Sequence, residues 1–373
     1  MTQKQEKNRI PQLDILRVLA TLMVITVHAG DIYMYDAKTM SFGTEASVIA
    51  VLLRSCVPLF IIMSSILLLP IKTDTTTFFK RRFSRVVIPF LIWSIIYVFL
   101  PIPNEIAFGG PSNAFTDLGM NVYLYNLMMI PINFTGSNVH FWFIYIILGL
   151  YLFMPIFSPW IKTATKKMLV FYLSLWGITL FLPYVHLLFP QIQGECDWNS
   201  FGMFYYFGGY FGYVILGYFL HHYNSLSITK SVAIGSILFI VGTIVTYIGF
   251  KSDQNAFLHK IISSNVEDWK LIEFNISFLA PSVVIMTAGV FMIFQKIQIS
   301  GLIERLFKEL SVLSYGIFLI HYILVLWIGN WMQDILIINA GIEQLLIALL
   351  TFLISYCIVK LISLIPKSKY IIG

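Results

Sequence analysis

Ten stretches of roughly twenty mostly apolar residues follow one another along nearly the whole chain. That length matches a helix crossing a hydrocarbon core ~30 Å thick. Spans are expected at 13–34, 46–69, 86–103, 139–159, 168–189, 201–221, 229–249, 272–294, 311–331 and 342–365. The third is short and proline-rich. The stretch 118–133 (DLGMNVYLYNLMMIPI) is too short and polar to cross, and reads as a helix on or dipping into the outer surface. The sequence is 58% hydrophobic and 11% charged, whereas about 25% charged residues is usual for a soluble domain. The expected fold is therefore an all-α polytopic membrane protein, one domain over 1–373 embedded in a lipid bilayer, with short tails at 1–12 and 366–373. The first apolar stretch is too long for a signal-peptide core and lacks a small-residue cleavage site, so it is expected to stay.

Lysine and arginine mark one set of ends. The N-terminus carries Lys4, Lys7 and Arg9, and the second connection Lys72, Lys80, Arg81, Arg82 and Arg85. Later even-numbered connections carry Lys162, Lys166 and Lys167, then Lys230, then Lys296, Arg305 and Lys308, and the C-terminus has Lys367 and Lys369. The odd-numbered connections hold only Lys38, Lys251, Lys260 and Lys270, and 104–138 holds no basic residue. Cytoplasmic loops concentrate Lys and Arg, so both termini are expected in the cytoplasm. The net charge of +6 is explained by this alternation, without nucleic-acid binding. Cys56, Cys196 and Cys357 are scattered and odd in number, which indicates neither a disulfide framework nor a metal site.

Ionisable groups inside such spans are costly and point to function. The first span, LDILRVLATLMVITVHAGDIY, carries Asp14, Arg17 and His28. Eleven positions return His28 to within about 20° of the Arg17 face, roughly 16 Å along the axis. A working reading makes His28 a proton acceptor and Arg17 the partner of an anionic ligand. A structural reading has Arg17 snorkel or pair with Asp14, while His28 bonds a neighbouring helix. The run Lys80 to Arg85 is either a positive anchor on anionic lipid or a phosphate clamp. Arg54, in the outer half of span two, either meets a carbonyl or Glu45, or contacts an acceptor or a developing oxyanion. His140 and Trp142 stand at the outer mouth of span four, and His321 near the middle of span nine. His221 and His222 read as interfacial. His186 and His259 receive no role, and Glu195, Asp197, Glu267 and Asp268 read as solvated charge.

Taken in order, these motifs resemble the membrane-bound acyltransferase-three family, the bacterial O-acyltransferases of surface glycans. The resemblance rests on Leu13-Asp14-x-Leu16-Arg17-x-x-Ala20 with ten residues between Arg17 and His28, and on Arg54-x-x-Val57-Pro58-Leu59-Phe60-x-x-x-Ser64. It continues through Lys80-Arg81-Arg82-x-x-Arg85-x-x-x-Pro89, His140-x-Trp142-Phe143, Tyr151-Leu152-x-x-Pro155 and Ser314-Tyr315-Gly316-Ile317-x-Leu319-Ile320-His321. One departure is Ser64-Ser65 where Ser-Gly is usual; a second small residue should still allow close helix packing.

The resemblance implies transfer of a short acyl group, usually acetyl, from cytoplasmic acyl-CoA to a hydroxyl outside, on a cell-surface glycan or lipid-linked saccharide of a bacterial cell membrane. Arg81, Arg82 and Arg85 would then hold the CoA phosphates. His28 would take the acceptor proton, Arg17, His140 or His321 would meet the oxyanion, and Arg54 and Trp142 would contact the acceptor. No metal is implied. The competing reading is a transporter or exporter of a small solute or surface polysaccharide.

Overall fold

The computed structural model describes residues 9–100, 122–134, 136–189, 208–264, 268–333 and 339–373. Residues 118–121, 201–207, Cys196, Glu195, Asp197 and Glu267, on which some of the expectations above fall, lie outside the described residues.

Helix α1 (Pro11–Met34) begins with proline, whose fixed φ suits a first turn. A short ladder of β1 (Tyr35–Asp36) and β2 (Ser41–Phe42) reverses the chain into α2 (Thr44–Leu52) and α3 (Cys56–Leu68). The second span is thus broken at 53–55. Pro58 has no N–H for the carbonyl of residue 54, and its ring crowds that carbonyl, so Arg54 falls in the break. Helix α4 (Thr75–Phe99) starts well before the expected 86, because Asp74 caps it by accepting from Thr77 N at 2.8 Å. The whole basic run therefore lies on a helix.

Then follow α5 (Val122–Met129), a 3-10 turn (Gly136–Phe141), α6 (Trp142–Thr163), α7 (Lys166–Thr179), α8 (Leu182–Leu188), α9 (Phe211–Tyr223) and α10 (Ile228–Ser264). The chain ends with α11 (Pro281–Phe294), α12 (Gly301–Gln333), α13 (Ala340–Ser363) and α14 (Lys369–Ile372). Among the described residues eight helical stretches are long and apolar enough to cross a membrane. Two of the ten expected spans do not reach that length: α9 has 13 described residues and α11 has 14.

The shortness of α11 has a physical reason. Residues before Pro281 are held by side chains instead of helical bonds. Asp253 accepts from Asn275 N and Nδ2, both at 2.7 Å, Arg54 donates to the Ile276 carbonyl, and Tyr213 OH donates to the Phe278 carbonyl at 2.5 Å. Irregular backbone at membrane depth needs such partners.

Contacts sort the connections into two ends. At one, Trp93 Nε1 donates to the Ile371 carbonyl at 3.0 Å, Lys360 pairs with Glu309 at 2.6 Å, and Lys296 reaches the Leu226 carbonyl. At the other, Asn339 bonds Glu45 at 3.0 Å and Gln254 bonds Ser47 at 2.8 Å. Segment 366–373, expected as a tail, folds back so that α14 packs on α4. The centre of the bundle is α12, nearly every residue of which is buried from Ser311 to Leu326, packed against α1 and α13.

Ser65 is fully buried against Gly217 of α9, where an added Cβ would lie 2.6 Å from Ser65 Oγ. A small residue suffices at 65, but the opposing position requires glycine. Gly235 of α10 and Gly289 of α11 meet in the same way: a Cβ on Gly289 would stand 2.5 Å from the Gly235 carbonyl oxygen. Gly289→Val should therefore separate the two helices and cost about 1–3 kcal/mol by overpacking. A lower thermal midpoint in detergent is the expected result; an unchanged midpoint would contradict this packing.

Candidate active site

Three histidines from three elements meet. His28 comes from α1, His140 from the 3-10 turn before α6, and His321 from α12. Their ring centroids lie 5.1 Å (His140 and His321), 5.5 Å (His28 and His321) and 6.5 Å (His28 and His140) apart. Tyr322 completes the cluster, stacked 4.8 Å from His140 and edge-on at 5.3 Å to His28. Tyr97 of α4 backs His140 at 5.2 Å, and its hydroxyl donates to the Leu319 carbonyl at 3.0 Å. A polar cluster is thus built where α1, α4 and α12 meet the start of α6.

Each histidine is held differently. His28 Nδ1 lies 3.0 Å from Asp31 Oδ2, one helical turn on. Donation of Nδ1–H to the carboxylate leaves Nε2 as the free base. His321 Nδ1 donates to the Phe318 carbonyl at 2.6 Å, and its buried Nε2 has no partner. His140 is 1% exposed, and neither ring nitrogen is hydrogen-bonded. An unsatisfied buried polar group costs about 1–3 kcal/mol, so these nitrogens suit a site that receives polar ligand atoms. The α1 backbone is fixed here by α13: Gln344 Nε2 donates to the Thr26 carbonyl at 2.8 Å, close over Gly30.

A cavity of about 400 Å³ approaches the cluster from the basic end. Arg17, Arg82, Arg85 and Lys369 line its cationic part, and Phe143 and Phe318 its apolar wall. The Phe318 ring stands 5.5 Å from His321 and 5.7 Å from His140, so one aromatic layer separates cavity from imidazoles. Of the two readings of Arg17, the pairing with Asp14 is not formed: Asp14 pairs with Arg9 at 2.6 Å, and Arg17 Nη1 donates to Ser311 Oγ at 3.1 Å. The Arg17 guanidinium is thereby left to face the cavity.

Other expected residues are placed apart. Arg81 lines a different cleft, which Arg82 shares. Arg54 bonds the Ile276 carbonyl and lies 4.0 Å over the Phe278 ring, while Trp142 stacks on the same ring at 5.5 Å. Glu45, the suggested acidic partner of Arg54, bonds Asn339 instead. Arg54 and Trp142 therefore clamp the 276–278 segment, and neither bonds the histidines in this structure. No group of three or more His, Cys, Asp or Glu placed to hold a metal ion occurs among the described residues.

The family model for an acyltransferase domain, acyltransferase family 3, matches residues 10–360. The chain belongs to that family. Comparison with curated proteins and with solved structures returned no match. The three clustered histidines of this membrane acyltransferase, and the arginines of both cavities except Arg9, fall within the matched region.

Sequence reasoning assigned no role to Asp31, Tyr322, Tyr97 and Lys369. For Asp31 a signal was present, because a carboxylate three residues past a histidine shares its helical face. A hydrogen bond to a charged group contributes about 1.5–3 kcal/mol, so Asp31→Asn should slow acyl transfer roughly tenfold to 150-fold. Steady-state kinetics on the purified variant checks this; wild-type rates across the pH range would remove Asp31 from the site.

Proposed function

We propose that this acyltransferase moves a short acyl group, most simply acetyl, from cytoplasmic acyl-CoA to a hydroxyl of an extracytoplasmic cell-surface glycan or lipid-linked sugar. Both termini face the cytoplasm in this reading, and the membrane is that of a bacterial cell. The observation that carries it is the arrangement of His28, held by Asp31, beside two imidazoles with unpartnered nitrogens, one aromatic layer beyond a cavity with a cationic mouth.

The chemistry follows from the tautomers. The acceptor O–H gives its proton to His28 Nε2 as its oxygen attacks the thioester carbonyl. The tetrahedral intermediate collapses, the C–S bond breaks, and the imidazolium returns the proton to the leaving thiolate. His321 Nε2, a lone-pair acceptor while Nδ1 is bonded to Phe318, suits a hydrogen bond from a second hydroxyl of the acceptor sugar, beside the one that reacts. His140, with no bond at either nitrogen, has an N–H free to meet the oxyanion. The donor's phosphates suit the arginines, whose planar forks match phosphate oxygens. Arg82 is the best placed, since its Nε is buried without a partner. Arg54 and Trp142, with Phe278, would border the acceptor.

The test compares surface glycan from cells with the gene, without it, and with His28→Ala. Ester-linked acyl groups should appear only with the wild-type gene. Equal acylation in all three would sink the proposal, and a solute flux that survives His28→Ala without acyl-CoA would favour transport.

A further inference from the structure

Tyr97 of α4 is fully buried behind the histidine cluster and lines neither basic cavity. Its hydroxyl makes two bonds, both to α12: it donates to the Leu319 carbonyl at 3.0 Å and accepts from Ile323 N at 3.3 Å. In a regular α-helix the N–H of residue 323 bonds the carbonyl of residue 319. The hydroxyl therefore bridges one rung of the α12 ladder, and His321 and Tyr322 lie on the turn that this rung closes. The Tyr97 ring meanwhile stands 5.2 Å from His140 and 5.3 Å from Phe141. We infer that Tyr97 is a positioning residue for acyl transfer: its hydroxyl fixes the α12 turn that bears His321, its ring fixes His140, and one side chain thereby sets the spacing of two imidazoles. The inference rests on the reading of the histidine cluster as the reacting site and adds a residue that acts through others.

The bonding pattern is the first argument. The hydroxyl hydrogen is committed to Leu319 and an oxygen lone pair to Ile323, so the group cannot turn away without losing both bonds. The carbonyl one residue earlier, Phe318, accepts from His321 Nδ1 at 2.6 Å. Adjacent carbonyls of one turn thus each receive a side-chain donor: one locks the His321 ring, and the other ties the turn to α4. A side chain that enters a helical ladder is one of the few causes of a local bend. Any shift of this turn carries His321 Nε2 with it.

Packing is the second. Phe90, Trp93 and Tyr97 belong to the buried face of α4. Phe90 lies 5.6 Å from Phe141, and Trp93 bonds the Ile371 carbonyl at 3.0 Å, so Tyr97 is held in place from its own helix and not by the histidines. Filling the core does not account for the hydroxyl. Phenylalanine would occupy the same space beside Trp93, Phe141 and His140 with no polar atom to bury, and the two α12 groups would then bond each other. What the hydroxyl adds is a fixed distance between α4 and the turn at His321.

The test uses the full chain in phosphatidylcholine nanodiscs, labelled acetyl-CoA as donor, and surface glycan extracted from cells lacking the gene as acceptor. Tyr97→Phe keeps the ring and removes both bonds. Its kcat should fall roughly tenfold to 100-fold, the scale of an ångström misplacement at a reacting site. The KM for acetyl-CoA should stay at the wild-type value, because Tyr97 lines neither basic cavity. Tyr145→Phe is the comparator: it takes the same hydroxyl from a backbone carbonyl, that of Ile130 at 2.6 Å, between α6 and the end of α5. Both variants should melt near wild type, and Tyr145→Phe should keep the wild-type kcat. On a His321→Ala background Tyr97→Phe should cost much less than it does alone, since residues that act through one another are not additive. An undiminished further loss on that background overturns the inference, as does a wild-type kcat in Tyr97→Phe or an equal loss in Tyr145→Phe. If the wild-type chain transfers no label, or His321→Ala matches it, the reading of the cluster itself fails and takes this inference with it.

Discussion

His28→Ala should lower acyl transfer by roughly 10²–10⁴-fold, the range for loss of a positioned general base, with donor affinity unchanged. The expected split follows from geometry. His28 belongs to the histidine cluster, but it does not line the donor cavity, whose nearest wall is Phe143 and Phe318. Removing the imidazole therefore takes away proton transfer and leaves the phosphate contacts in place. His28→Gln sharpens the test, since an amide can still donate to Asp31 but cannot accept a proton at the reacting oxygen. Both variants should melt near wild type, because the ring is at the edge of the core with a side-chain exposure of 18%. Single-turnover kinetics with labelled donor, alongside equilibrium CoA binding, checks both halves. A rate within a few-fold of wild type would remove His28 from the chemistry.

Arg82→Ala should act on the other half of the reaction. Its guanidinium lines both basic cavities, and its buried Nε has no hydrogen-bond partner. Charge-assisted bonds are worth about 1.5–3 kcal/mol, so the KM for acyl-CoA should rise roughly tenfold to 150-fold. The turnover at saturating donor should change much less. Arg82→Lys should recover only part of the affinity, since an ammonium is a point charge that cannot form the paired bonds of a guanidinium. A fall in kcat at constant KM would instead place Arg82 near the reacting atoms.

Much of the site was legible in α1 because helix geometry is fixed. The interval from Arg17 to His28 alone puts them on one face about 16 Å apart. The structure gives Arg17 to the donor cavity and His28 to the histidine cluster. Asp31 was equally readable by spacing, because three residues past His28 it shares that face of the helix. That His140 and His321 meet His28, with Tyr97 behind His140, was not readable, because their approach depends on how α4, α6 and α12 pack against α1. The span boundaries failed where side chains replace helical hydrogen bonds, as Asp253, Arg54 and Tyr213 do before α11. Hydropathy registers an apolar stretch but not the partner that satisfies its backbone. The same limit hid the role of Arg54, whose position in the α2–α3 break follows from Pro58 and whose partner lies on a distant connection.

The central claim is that acyl groups pass from a donor held at the basic end to a hydroxyl at the histidine end of one bundle. The most direct measurement uses purified protein in sealed vesicles, oriented by a tag on its C-terminus. Acetyl-labelled acetyl-CoA is supplied only on the side of the basic end, and a glycan acceptor only on the other. Label should reach the acceptor across the sealed membrane, and His28→Ala should stop it. Label that stays with CoA in wild-type vesicles, or that reaches the acceptor equally with His28→Ala, would contradict the claim.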